Sequence, residues 1–179
     1  MFALHPPAHR CLGFTLIEAC ATVAVLAVLI TLVAPSLRQA LDTRRLDGVA
    51  TQFAADLAFA RSQAQARNMP VHLRFSSGPS GASCYAVQAS VGAPAECPCV
   101  PGAVCVQSLR FVALGPADGV QLSSSAASMR LDPRHGTNTP TSTIRVSSRD
   151  GRSVVQAVNL MGRVRSCSPE ARVPGYPAC

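Results

Sequence analysis

Gly13-Phe14-Thr15-Leu16-Ile17-Glu18-Ala19-Cys20-Ala21-Thr22-Val23-Ala24-Val25-Leu26-Ala27-Val28-Leu29-Ile30-Thr31-Leu32-Val33-Ala34-Pro35 is the stretch around which the chain is organised. Between Phe14 and Ala34 the only charged side chain is Glu18. A helix over that run, rising ~1.5 Å per residue, reaches ~31 Å, about the thickness of a bilayer's hydrocarbon core. The run is therefore expected to span a membrane. A carboxylate inside such a span costs about 2.5–3.5 kcal/mol on insertion scales, which marks Glu18 as a functional candidate in need of a partner.

Toward the amino terminus, residues 1–13 are short and polar, with Arg10 as the single fixed charge and none of the apolar core of a secretory signal peptide. Toward the carboxyl terminus, Pro35 interrupts the helix without necessarily ending it, because 36–67 reads as helix again, with Leu46, Val49/Ala50, Phe53, Leu57, Ala60 and Ala64 at intervals of three or four. The opposite face carries Arg44, Arg45, Asp56, Arg61 and Arg67, and Asn68-Met69-Pro70 ends the helix. A helix apolar all round in its first half (14–35) and amphipathic in its second (36–67) implies an anchor that continues into a globular head, 68–179.

That head is mostly β. Short runs at Val71–Phe75, Cys84–Val91, Val104–Ala113, Ser128–Leu131, Thr143–Ser148 and Ser153–Leu160 are separated by Gly, Pro and Ser clusters. Arg149-Asp150-Gly151-Arg152 sets Asp-Gly between two alternating strands, a hairpin signal. Ser123–Ser125 and Pro133–Thr143 read as flexible loops. With 179 residues there is room for one such head beyond the span and no second core.

Six of the eight cysteines, Cys84, Cys97, Cys99, Cys105, Cys167 and Cys179, lie beyond the span, which points to an exported, oxidised head. Sequence proximity favours pairing Cys167 with Cys179 and distributing the other four over two bridges within 84–105, although six cysteines leave many complete pairings open. Zinc is not expected, since Cys97-Pro98-Cys99 and Cys105 lack a paired Cys-x-x-Cys frame. His72 and His135 stand in no catalytic motif, so neither an enzyme nor a cofactor is expected.

The net charge is +7, and every basic residue is arginine. Residues 141–179 hold six arginines against two acids, so more than half of the excess lies in the last fifth of the chain. Within it, Gly162-Arg163-Val164-Arg165 puts two arginines on one side of an extended backbone, ~6.6 Å apart. Such charges also serve to keep edge strands from pairing. Arg145, Arg149, Arg152 and Arg172 lie nearby in sequence, and with Tyr176 as the tail's one aromatic, phosphate contact is favoured over base stacking.

Gly13-Phe14-Thr15-Leu16-Ile17-Glu18 and its apolar run resemble the processing site of type IV prepilins. Residues 60–73, from Ala60 through Met69-Pro70 to Leu73, resemble the helix-to-strand junction of the GspH/FimT group of minor pilins. The resemblance implies a pilin-like α+β fold, a long N-terminal helix packed on a mostly antiparallel β head. It implies that a prepilin peptidase cuts after Gly13 and methylates the new terminus at Phe14, making Glu18 the fifth mature residue. Paired with the terminal amine of a neighbouring subunit, Glu18 would offset two desolvation penalties during assembly. The resemblance further implies a single-pass protein of the inner membrane with its head in the periplasm, joining other pilins in or at the tip of a pilus. Gly162-Arg163-x-Arg165 matches the Gly-Arg-x-Arg pattern by which FimT-like minor pilins bind DNA during natural transformation, and with phosphate as the contact no sequence preference is expected. A type II secretion pseudopilin and a structural minor pilin that primes assembly are the alternatives.

Overall fold

The computed structural model describes residues 15–90, 92, 95–105, 107–169 and 173–179. Among them a single helix, α1 (Leu16–Arg67), precedes nine strands. These are β1 (Val71–Ser77), β2 (Ser83–Ala89), β3 (Ser108–Leu114), β4 (Val120–Ser124), β5 (Ser128–Leu131), β6 (Asn138–Thr139), β7 (Ser142–Ser148), β8 (Ser153–Val158) and β9 (Val164–Cys167). The chain divides into two units after Gln39.

In the first unit, Leu16, Leu26, Ile30 and Leu37 are all exposed, as an apolar solvent requires. The helix is long and apolar enough here to cross a membrane. Its hydroxyls are satisfied internally: Thr22 Oγ1 donates to the Ala19 carbonyl at 2.9 Å and Thr31 Oγ1 to that of Val28 at 2.7 Å. Thr15 Oγ1 accepts the Glu18 amide at 3.3 Å, so it caps the first turn.

In the second unit, from Ala40, the amphipathic part of α1 supplies one side of the core. Leu46, Ala50, Phe53, Leu57, Ala60 and Ala64 are buried, the positions that recur every three or four residues. They pack on two antiparallel sheets, in strand orders β3-β2-β1-β5-β6 and β4-β7-β8-β9. Phe53 meets Tyr85 edge-on, ring centroids 5.5 Å apart. From β8, Gln156 Nε2 donates to the Ala50 carbonyl at 2.9 Å, tying the second sheet to the helix.

Several expectations need correction. Asp56, assigned to the polar face, is buried: its carboxylate accepts the Tyr85 hydroxyl at 2.8 Å and lies 3.8 Å from Arg110. Partners on β2 and β3 offset the desolvation that would otherwise hold it in water. Ser123–Ser125, read as loop, includes the end of β4, whose Val120 and Leu122 face the core while Gln121 and Ser123 face out. Pro133–Thr143, also read as loop, contains β6 and the start of β7. The third run begins at Ser108 rather than Val104, the second spans Ser83–Ala89, and the last ends at Val158.

Candidate nucleic-acid interface

β9 is an edge strand paired to β8 with Val164 opposite Val158, Arg165 opposite Ala157 and Cys167 opposite Val155. Its alternation is set by Val164, which packs against the core and so turns Arg163 and Arg165 outward, both exposed. Neither guanidinium has a hydrogen-bond or carboxylate partner among the described residues. Both line a cleft of about 550 Å³ that is otherwise lined by Ser125, Thr141, Ser142, Thr143, Ala157, Val158 and Asn159. Across the sheet the register runs Arg165, Ala157, Thr143, with Ser125 bonded to the Thr143 backbone.

The turn before β9 is built to present them. Gly162 has φ +64°, a left-handed conformation that costs other residues about 1–2 kcal/mol. Its amide donates to the Asn159 carbonyl at 2.8 Å, while Asn159 Oδ1 accepts the Arg163 amide, also at 2.8 Å. Beneath the turn, Arg61 of α1 donates from Nη2 to the Met161 carbonyl at 2.8 Å. A Cβ on Gly162 would stand 1.7 Å from that nitrogen, so the glycine answers both to its backbone angle and to a helix side chain.

The other arginines of the predicted site fare differently. Arg145 is on the same outward face of β7 as Thr143, two residues along, and donates to Ser153 Oγ at 3.1 Å. Arg152 is engaged within the head: Nη2 lies 2.5 Å from Asp150 and Nη1 bonds Thr43. That guanidinium is the main cause holding the Asp150 carboxyl at about 2, below the usual carboxylate range. Arg149 bonds the Pro116 carbonyl at the hairpin tip, where Gly151 has φ +84°. Arg172, Gly13 and Phe14 lie outside the described residues. Arg163, Arg165 and Arg145 are therefore brought to one sheet face, whereas Arg149 and Arg152 are bound at the turn.

Residues 173–179 are tied down. Cys167 is bonded to Cys179, Val173 is buried, and Tyr176 donates to Asp47 Oδ1 on α1 at 2.6 Å. Burial first, then this bond, raises the Tyr176 hydroxyl to about 12. Cys84 is bonded to Cys99 and Cys97 to Cys105. His72 sits within β1, its pKa lowered by burial and then by Arg130. Two features were missed from sequence: the Asp56–Tyr85–Arg110 group, and Arg61 beneath Gly162, whose partners lie far along the chain.

Two antiparallel sheets around the amphipathic half of a long helix, whose other half is apolar and exposed, make the type IV pilin fold. The family model described as type II transport protein GspH matches residues 49–162, more than half of the chain, and the chain belongs to this family of minor pilins and pseudopilins. Among solved structures, the type IV minor pilin FimU of Pseudomonas aeruginosa matches with a TM-score of 0.50 at 15% identity, covering 74% of this chain and 95% of that one. A second crystal form of FimU gives 0.47 at 15% identity, covering 73% and 98%. At that identity the likeness speaks to fold alone. A search of curated proteins returned no match. The family match ends at Gly162, so Arg163 and Arg165 lie just past it.

Proposed function

We propose that this chain is a minor pilin, anchored in the inner membrane and processed between Gly13 and Phe14, whose head binds extracellular DNA for uptake in natural transformation. Arg163 and Arg165 are the principal contacts and Arg145 a third. Arg149, Arg152 and Arg172 contribute long-range charge. Glu18 acts in assembly with other pilins. The observation that carries this reading is the pair of exposed guanidinium groups, without a partner among the described residues, at the start of one edge strand and lining one cleft. Tyr176 bonds Asp47, which leaves the tail without a free aromatic platform and favours duplex phosphates over stacked single-stranded bases.

The test is duplex binding by the full chain in non-ionic detergent as salt is varied. Three phosphate contacts give a weakening of about forty-fold between ~50 and ~200 mM salt. Replacing Arg163 and Arg165 together by Gln should lower the logarithmic salt slope by nearly two. Unchanged affinity and slope in that variant would refute the DNA reading. A second reading, a type II secretion pseudopilin that contacts protein, is favoured by the GspH description of the matched region, and it would then stand.

A further inference from the structure

We propose that the cleft beside Arg163 and Arg165 is a seat for one phosphate group, formed as much by neutral hydroxyls as by the two charges. The proposal rests on the DNA-binding reading above and adds the uncharged half of the site. Three features of the cleft point to it.

First, its centre is hollow by construction. Arg165, Ala157 and Thr143 are successive cross-strand partners on β9, β8 and β7, and all three are exposed on the same face. Neighbouring strands are ~4.8 Å apart, so a group resting on the Ala157 methyl lies within reach of the Arg165 guanidinium on one side and the Thr143 hydroxyl on the other. A longer side chain at 157 would fill that space.

Second, the lining suits an oxyanion. Arg163, Arg165, Thr141, Thr143 and Ser125 supply donors, and no carboxylate lines the cleft among the described residues. Third, the hydroxyl at the far wall is free to donate. Thr143 gives its amide to Ser125 Oγ at 2.9 Å, which fixes the strand, while its own Oγ1 has no partner among the described residues. Ser125 Oγ is partly committed, being 3.2 Å from Ser142 Oγ.

Tetrahedral phosphate from either a backbone phosphodiester or a terminal phosphomonoester has this chemistry. Its signature differs from that of the arginines, because a hydroxyl displaces no counterion when it meets phosphate. Thr143→Val keeps the approximate shape and the strand preference of the side chain and removes the hydroxyl.

The experiment measures binding of the full chain, in non-ionic detergent, to a labelled duplex with and without 5′-phosphates across a range of salt. Thr143→Val should weaken binding about tenfold with the salt slope unchanged, and Thr143→Ser should restore it. Equal loss on both duplexes assigns the seat to a backbone phosphate, and a loss confined to the phosphorylated duplex assigns it to the strand end. Parent-like binding by Thr143→Val, beside an Arg163→Gln/Arg165→Gln variant that fails to bind, overturns the seat and leaves the DNA reading intact. Parent-like binding by the arginine variant overturns both. A salt slope that falls in Thr143→Val also counts against the seat, since it means that the charges have moved.

Discussion

Gly162→Ala tests how the arginine pair is presented. Two separate costs meet at this residue. The left-handed backbone angle, φ +64°, penalises any Cβ by about 1–2 kcal/mol. The new methyl would also displace Arg61, whose Nη2 is 1.7 Å from the Cβ position and 2.8 Å from the Met161 carbonyl. Losing a hydrogen bond from a charged donor costs about 1.5–3 kcal/mol when buried, and for this half-buried side chain about 1 kcal/mol is the appropriate figure. Gly162→Ala should therefore cost about 2–3 kcal/mol in the parent. With Arg61 already replaced by Ala the second cost vanishes, and the same change should cost only about 1–2 kcal/mol. The coupling of about 1 kcal/mol exceeds the departure from additivity of about 0.3–0.5 kcal/mol seen for independent sites. Urea unfolding of residues 40–179 followed by circular dichroism is a suitable assay, because every residue of the buried cluster lies within that span. Equal costs in the two backgrounds would refute the claim that Arg61 stands in the way and leave only the backbone angle.

Replacing Cys167 and Cys179 together by Ser opens a loop of sequence separation 12 and should lower stability by about 3 kcal/mol, measured by urea unfolding with and without reductant. In alkali, burial and then the Asp56 bond raise the Tyr85 pKa, while Tyr176 is raised to about 12. Both phenols ionise more readily in the unfolded chain, so their stabilisation is complete below about pH 10 and is lost as the pH rises further. Tyr85→Phe should flatten that alkaline decline in a pH series of unfolding curves while lowering stability at neutral pH by about 1 kcal/mol. In acid, Asp150 acts oppositely: its contribution holds above the ordinary carboxylate range and disappears as the pH falls toward about 2, a loss that Asp150→Asn should abolish. Glu18→Gln keeps the shape and removes the charge, and it should abolish recovery of the chain in sheared filaments while leaving its membrane level unchanged.

The helix was legible because its signal is local. Six apolar positions at helical spacing, Leu46 to Ala64, identify the buried face without reference to any other segment. The same reasoning misassigned Asp56, because the partners that make its burial tolerable, Tyr85 and Arg110, lie on strands brought alongside only by the fold. β4 was hidden for a related reason: it offers two buried residues, Val120 and Leu122, then serines that read as loop, and is held by its ladder to β7. The arginine pair was visible as alternation within the four residues Gly162–Arg165. Its cleft was not, since Thr143 read as the junction between a loop and a strand, and only the β7–β8–β9 register places it across Ala157 from Arg165. Arg61 shows the extreme case, with the carbonyl it bonds standing a hundred positions along the chain.

The turn from Asn159 to Gly162 is closed at both ends, by the Gly162 amide on the Asn159 carbonyl and the Asn159 amide on the Arg163 carbonyl. Its length therefore acts as a parity switch. Adding or removing one residue there would invert β9, driving Val164 into solvent and two cations toward the apolar interior, whereas a change of two would preserve the facing. Substitution on this strand can proceed gradually, one side chain at a time. Insertion and deletion cannot, because the smallest step that keeps the arginines outside is a pair.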